Sequence, residues 1–403
     1  MAGHVVADSR GRGLGVAQSW VATPWKRLKL ASLNAISRAT RPLVRGAFIT
    51  YAEPRDVRRI LVVELWNIGD VVLTIPFLAQ LRARFPDSSI TLLARSHATQ
   101  ILRGMALVDE FLVTETQPAA SWLTYSTSAL NPADLRRFRR RLKERDFDIA
   151  FQSRMHVREH VILAMSAARR RVGYAFGYGD DMLTDALPAD DPARHKVSDW
   201  LELLKPFGGP MEIVTPMLHV TAAERRWAAE YLTDRGVALT DTLIGIHPGA
   251  SIVAKRWPLE RFAQVAEALS AYSGVRLVTF VEPGGYGAGL ASEYGAVTAS
   301  VTLRELIALV ERCTVVVCND SGPMHIAGAL GVPTVAVFGH GIARWFSPLG
   351  EGHEVVSAGE AARESSDGNH SPTPSALEAI SAASVVRAVE RTLSKRRLDA
   401  EFQ

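Results

Sequence analysis

Three short segments of this 403-residue chain carry the residue types that acid–base and phosphate chemistry require. The first is NIGDVVLTIP, residues 67–76, directly after the apolar run RRILVVEL. Gly69 lets the backbone turn tightly where a strand passes into a helix. Asp70 then lies at the carboxyl edge of a sheet, where ligands bind in open α/β folds. It can serve as a general base, or it can cap a helix running from Val71 to Arg84; both roles use the same oxygens. The second segment is GIHPGASIVAKRWP, residues 245–258. Its turn, His247 to Ser251, offers backbone amides and a hydroxyl to phosphate oxygens, and Lys255 and Arg256 follow where a diphosphate leaving group needs compensating charge. The bland reading is a basic loop ahead of a helix. The third segment, VVVCNDSGPMHIAGALGVPTVAVFG, spans residues 315–339. Asp320, Ser321 and Gly322 close a strand, Pro323 opens a helix whose free amides form an anion site, and His325 lies one turn in.

Positioning these groups takes a particular set of elements. From Arg59 onward, near-continuous apolar runs alternate with helical segments, the pattern of a parallel sheet covered on both faces. RRILVVEL, SSITLLAR, FDIAFQS and RRVGY read as strands, and residues 175–192 read as a loop. A helix is expected over about Val197 to Phe207. The second half repeats this logic, with TLIGIHPGAS, VRLVTFV, TVVVCNDSG and PTVAVFG as strands, and an amphipathic helix closing the chain. The expected fold class is α/β, with two doubly wound Rossmann-like domains facing a cleft. The expected division is a basic extension at 1–57, an N-terminal domain at 58–218 and a C-terminal domain at 219–403. The polar stretch 358–375 is expected to be a flexible loop.

Composition narrows the function classes. Hydrophobic content of 47% and charged content of 22% describe a globular protein. The longest apolar runs, such as residues 332–338, fall far short of the ~18 residues of a membrane span. No apolar signal core is evident near Met1, so a cytoplasmic location is expected. Two cysteines, Cys313 and Cys318, exclude a disulfide framework and make a poor metal site. A net charge of +4 implies no nucleic-acid partner. Basicity is uneven, however: residues 20–57 hold seven Lys or Arg against Glu53 and Asp56, with Trp25, Leu28, Leu33 and Ile36 on one helical face. That stretch can lie on the inner face of an anionic membrane, or it can be a solvated helix or arm. No P-loop is present. The triplet Asp146-Phe147-Asp148 has the DxD form by which some glycosyltransferases hold a divalent cation, but it reads as the start of a strand.

Together, ILVVELWNIGDVVLTIPFLAQLRARFP, HPGAS…KRWP and NDSGPMHIAGALGVPTVAVFG, with RWFSPLG downstream, resemble glycosyltransferase family 9, the ADP-heptose:lipopolysaccharide heptosyltransferases and their relatives. The resemblance runs from about Arg58 to Arg391. It implies the GT-B fold and inverting, metal-independent transfer of heptose or a similar sugar from a nucleotide-diphospho-sugar to lipopolysaccharide or another envelope glycan. It implies no cofactor beyond that donor. By the same resemblance Asp70 is the base, reached through the Gly69 turn, and Lys255 steadies the phosphates. Asp320 binds the sugar, Ser321 and Gly322 hold the diphosphate, and His325 adds a phosphate contact. Glu282, after the strand VRLVTFV, matches an acidic residue that touches nucleotide or sugar, and His247 and Ser251 belong to the phosphate turn. Two other readings are a GT-B-fold nucleotide-sugar epimerase or phosphorylase, and a non-catalytic nucleotide-sugar-binding relative.

Overall fold

A computed structural model describes residues 57–125, 131–189, 194–208, 212–339, 343–357 and 374–401. The basic stretch at 20–56 and most of the polar stretch at 358–375 lie outside them, although Pro374–Glu378 is helical. The first six strands are β1 (Arg59–Glu64), β2 (Ser89–Ala94), β3 (Glu110–Val113), β4 (Ile149–Phe151), β5 (Arg170–Ala175) and β6 (Asp185–Pro188). They form one parallel sheet in the order β3-β2-β1-β4-β5-β6. The next six are β7 (Thr242–His247), β8 (Val275–Phe280), β9 (Val297–Ala299), β10 (Val315–Asn319), β11 (Thr334–Phe338) and β12 (Glu354–Ser357). Their parallel order, β12-β11-β10-β7-β8-β9, is the same winding repeated. This is the expected doubly wound α/β class. In each sheet the strand order reverses once, between β1 and β4 and between β7 and β10. Ligands bind at such reversals, outside the carboxyl ends of the strands.

The helices that matter below are α1 (Ile68–Arg84), α2 (Pro132–Lys143), α3 (Val157–Ser166), α4 (Lys196–Glu202), α5 (Ala222–Thr233), α6 (Leu259–Ser270), α7 (Leu303–Arg312), α8 (Gly322–Ala329) and α9 (Ala382–Glu401). Strand residues alternate between two cores. Ile60 and Val62 pack with Val72, Ile75 and Phe77 of α1, whereas Leu61 and Val63 pack with Phe138 and Leu142 of α2. Helix α1 is apolar on almost every side because it is covered twice, by its own sheet and by α8 of the second unit.

Several expectations need correction. Helix α1 begins at Ile68, a turn earlier than Val71, so Asp70 is its third residue and Asn67 is the N-cap. The stretch 175–192 is not all loop: Asp185–Pro188 pairs with β5 as an edge strand. The helix expected over 197–207 ends at Glu202, and Lys205–Phe207 is a separate 3₁₀ turn in which Pro206 cannot supply an amide. The Asp146–Asp148 triplet is a strand entry, as read. Asp148 is buried and accepts the amides of Arg58 and Arg59 at 2.7 and 2.9 Å, while Phe147 points into the core.

The second core centres on Trp257, which is fully buried beside Phe262 of α6 and donates its indole N–H to Ile380 O at 3.1 Å. Trp257→Ala is expected to cost about 3–5 kcal/mol, lowering the denaturant midpoint without loss of secondary structure in the native baseline. A midpoint within experimental error of wild type would show that the indole is not holding this core together.

Candidate active site at two facing switch points

The two strand-order reversals face each other. The β1–α1 turn and the β10–α8 turn meet so closely that neither tolerates a side chain: a Cβ on Gly69 would lie 2.4 Å from His325 Cδ2, and one on Gly322 would lie 2.9 Å from Ile68 Cγ2. Backbone bonds and polar contacts reinforce this approach. Leu218 N–H donates to Ala329 O at 2.8 Å, and His195 Nε2 lies 2.9 Å from Ser347 O. Arg304 of α7 reaches across to Gln100 O at 3.2 Å while pairing with Glu224 of α5 at 2.6 Å.

On the first wall, both oxygens of Asp70 are engaged. Oδ2 accepts the Asn67 amide at 3.0 Å, half of a capping box, and Oδ1 is ion-paired with Arg154. Asp70 therefore braces the helix start from inside, rather than capping it. Arg154 sits in the loop after β4, on the other side of the same switch point, with its guanidinium 5.1 Å from the Trp66 ring centre. Beneath them lies Glu64, buried at the end of β1. Its Oε1 accepts the Trp66 amide at 2.9 Å. Its Oε2 lies 3.5 Å from Thr74 Oγ1, whose single hydrogen is directed to Asp70 O at 2.8 Å. Burial drives the Glu64 pKa from the ordinary carboxylate range up to about 8, against the pull of Arg154 and with a push from Asp70. Glu159 of α3 accepts from Trp66 Nε1 and from Tyr125 Oη, both at 2.9 Å, and burial raises its pKa to about 6 against those two bonds.

On the second wall, Lys255 Nζ lies 2.6 Å from Asp320 Oδ2. Ser321 is the N-cap of α8, yet its buried hydroxyl has no hydrogen-bond partner, so it is available to a ligand. His325 is buried with Nδ1 unpartnered; burial holds its pKa down to about 4, against the opposing influence of Asp320 and then Asp70, so the ring is neutral. His247 closes β7, buried, neutral for the same reason and also unpartnered at Nδ1. Glu282 packs over the following turn: a Cβ on Gly249 would lie 2.2 Å from Glu282 Cδ. Arg256 joins the two, donating to Ala250 O at 2.8 Å and to Glu282 at 2.9 Å. Ser251 is exposed on the same turn. Asn319 ties the turn to β10, accepting the Trp257 amide at 2.9 Å and donating to Pro248 O at 2.7 Å.

Gly69, Asp70, Lys255, Asp320, Ser321, Gly322 and His325 are thus gathered at one junction, with His247, Ser251 and Glu282 grouped around the adjoining turn. Sequence reasoning missed Arg154, Glu64, Glu159 and Asn319. Arg154 is 84 residues from its partner Asp70, and only the strand order joins them. Asn319 could have been found, since it precedes Asp320 at the end of a switch-point strand.

Gly69→Ala is expected to destabilise the fold by about 1–3 kcal/mol through its clash with the His325 ring. Most of that loss should be recovered when the same change is made in a His325→Ala background. Purely additive losses in thermal melts of the four proteins would contradict the close approach. Glu64 generates a pH dependence. Its folded pKa is raised, so the native state holds a proton that the unfolded chain releases above the ordinary carboxylate range. The stability this contributes is complete below that range and is lost as pH rises through about 8. Unfolding free energies of wild type and Glu64→Gln should therefore converge at low pH and separate toward alkaline pH, wild type falling relative to the variant. Parallel curves would show that folding leaves the Glu64 pKa unchanged.

Residues 135–372, more than half of the chain, match the profile of glycosyltransferase family 9 (heptosyltransferase). Lipopolysaccharide heptosyltransferase 2 of Salmonella typhimurium is 26% identical over 317 residues, which cover 74% of this chain and 87% of that protein. Among solved structures, the glycosyl transferase family 9 protein of Veillonella parvula aligns with a TM-score of 0.68 at 25% identity, covering 84% of this chain and 97% of that one. The E. coli ADP-heptose lps heptosyltransferase II aligns with a TM-score of 0.66 at 21% identity, covering 84% and 99%. The last likeness concerns the fold alone, and it agrees with the GT-B arrangement of two parallel six-stranded sheets. Among the described residues no helix is long and apolar enough to cross a membrane. The chain is a glycosyltransferase and belongs to family 9.

Proposed function

We propose that this glycosyltransferase moves heptose, or a closely similar sugar, from a nucleotide-diphospho-sugar of the ADP-heptose type to a lipopolysaccharide or other cell-envelope glycan acceptor, with inversion and without a metal. The observation that carries this reading is the abutment of the two switch points, which sets the carboxylate of Asp70 opposite the Lys255–Asp320 pair and the unpartnered Ser321 hydroxyl. In this reading residues 58–218 hold the acceptor and residues 219–403 the donor. Asp70 removes the proton from an acceptor hydroxyl as its oxygen bonds to the anomeric carbon. The bond from that carbon to the diphosphate breaks on the opposite side, and the electron pair leaves with the phosphate. Arg154 and the Asn67 amide fix the orientation of the base.

On the donor side, charge develops on the leaving diphosphate, and fixed donors are most effective there. Lys255 supplies the cation, Gly322 and its neighbours the amides of the α8 terminus, and Ser321 a hydroxyl. His325, neutral and pressed against Gly69, gives a single N–H rather than a charge. Asp320 accepts from sugar hydroxyls once Lys255 turns to phosphate, and Glu282, over the His247–Ser251 turn, accepts from nucleotide or sugar. The relatives named for ADP-heptose and lipopolysaccharide support the choice of donor and acceptor class.

A panel of ADP-heptose and of dTDP-, GDP- and UDP-sugars, each offered with an inner-core lipopolysaccharide acceptor, should show acceptor-dependent release of one nucleoside diphosphate, undiminished by EDTA. Asp70→Asn should lower turnover by about 10²–10⁴-fold while calorimetric donor binding persists. Absence of binding to every nucleotide-sugar would sink the reading, and full turnover by Asp70→Asn would remove Asp70 as the base.

A further inference from the structure

Helix α2, PADLRRFRRRLK, is not used by the site just described, yet it is the most densely charged α-helix among the described residues. Between Asp134 and Arg145 the helix and the two residues after it carry Arg136, Arg137, Arg139, Arg140, Arg141, Lys143 and Arg145 against Asp134 and Glu144 alone. That excess is larger than the net charge of +4 for the entire chain. The helix is pinned by Phe138 and Leu142, both fully buried in the core on the sheet face opposite α1. At helical spacing these two point one way, and Arg136, Arg139, Arg140, Arg141 and Lys143 sweep the whole outward arc, all exposed. Only Arg137, with Asp134, and Arg140, with Glu144 at 3.6 Å, are paired along the helix.

A solvated helix would not be built this way. Arg136 and Arg140, Arg137 and Arg141, Arg139 and Lys143, and Arg141 and Arg145 are like charges four residues apart, an arrangement that destabilises a helix. Arg136 and Arg137 also sit in its first half, where the macrodipole disfavours cations. Among the described residues only Arg145, which pairs with Glu110 of β3 at 2.5 Å, gains a carboxylate of the sheet; Arg136, Arg139, Arg141 and Lys143 have none to offset the cost. The start of the helix is also tied to the acceptor wall. Asn131, its N-cap, is six residues from Tyr125, whose hydroxyl bonds Glu159 beneath Trp66, so the two ends are separated by at most about 22 Å.

We propose that the outer face of α2 is a docking surface for an anionic lipid bilayer, laid against the headgroups so that the acceptor wall opens beside the membrane plane. The match is one of charge: a broad, fixed field of guanidinium groups against a continuous sheet of phosphates, without an apolar face to insert. The facing of the acceptor wall rests on the proposed transfer reading, whereas the binding of α2 to anionic headgroups does not and is tested separately below.

The test is co-sedimentation of the full chain with phosphatidylglycerol-containing vesicles and with pure phosphatidylcholine vesicles. Wild type should bind the anionic vesicles only, and binding should fall as salt shortens the screening length from ~30 Å at 0.01 M to ~10 Å at 0.1 M. Arg136→Gln, Arg139→Gln, Arg141→Gln and Lys143→Gln combined should weaken binding by at least about 100-fold, at roughly fivefold per basic residue. The corresponding triple Arg→Lys protein should keep it and melt as wild type does, while the glutamine variant should melt no lower than wild type, because it loses like-charge repulsion along the helix. Undiminished binding by the glutamine variant would assign the attachment to residues 1–57 and overturn the proposal. So would failure of wild type to bind anionic vesicles, or tight binding to a DNA duplex in its place.

Discussion

Two helices begin within van der Waals distance of each other, on opposite sides of a cleft, and at that spot the chain has no room for a side chain. Gly69 faces the His325 ring and Gly322 faces Ile68. Everything else at the junction follows from this approach. Because the turns abut, the α1 and α8 termini bring their unsatisfied amides to one place, and the strands that feed them must end there too. The cost is a set of buried polar groups that water cannot reach. Neutral His325, neutral His247 and proton-bearing Glu64 show how that cost is met: by giving up charge rather than by pairing it.

Two ion pairs are cross-braced over the strand-order reversals. Arg154 comes from the β4 side and Asp70 from the β1 side; Lys255 comes from the β7 side and Asp320 from the β10 side. The two units thus use the same construction, a cation and a carboxylate joined over the gap between adjacent parallel strands. Asn319 performs a related task with neutral groups, holding the Pro248–Gly249 turn to β10 and fixing the Trp257 amide below it.

How much of this was legible in the sequence depended on distance along the chain. Apolar strands alternating with helices gave away the doubly wound class, and the strand ends gave away Asp70, Lys255 and Asp320, because each lies a few residues past a recognisable strand. The edge strand β6 was hidden: DALP is only four residues long with Leu187 alone buried, and Pro188 weakens the pattern further. The start of α1 was misjudged because Ile68 and Gly69 look like a turn, and what makes them helical is the capping carboxylate of Asp70 acting backward on Asn67. Arg154 and Glu159 were invisible. Nothing local distinguishes them from the other arginines and glutamates, and only the β1–β4 pairing carries them to Asp70.

The Lys255–Asp320 pair has a kinetic side. The two charges satisfy each other at 2.6 Å, and the Asp320 side chain is only 8% exposed. A ligand that draws the ammonium toward phosphate leaves the carboxylate without its cation, a costly state in a buried setting unless something else bonds to it. An intact donor brings hydroxyl groups that can do so. A spent nucleotide lacks the hydroxyls of the transferred sugar, and so pulls on the lysine without replacing its bond to the aspartate. Under the roles proposed for these residues, the resting ion pair competes harder against product than against substrate. It would act as an ejector, closing on itself as the nucleotide departs.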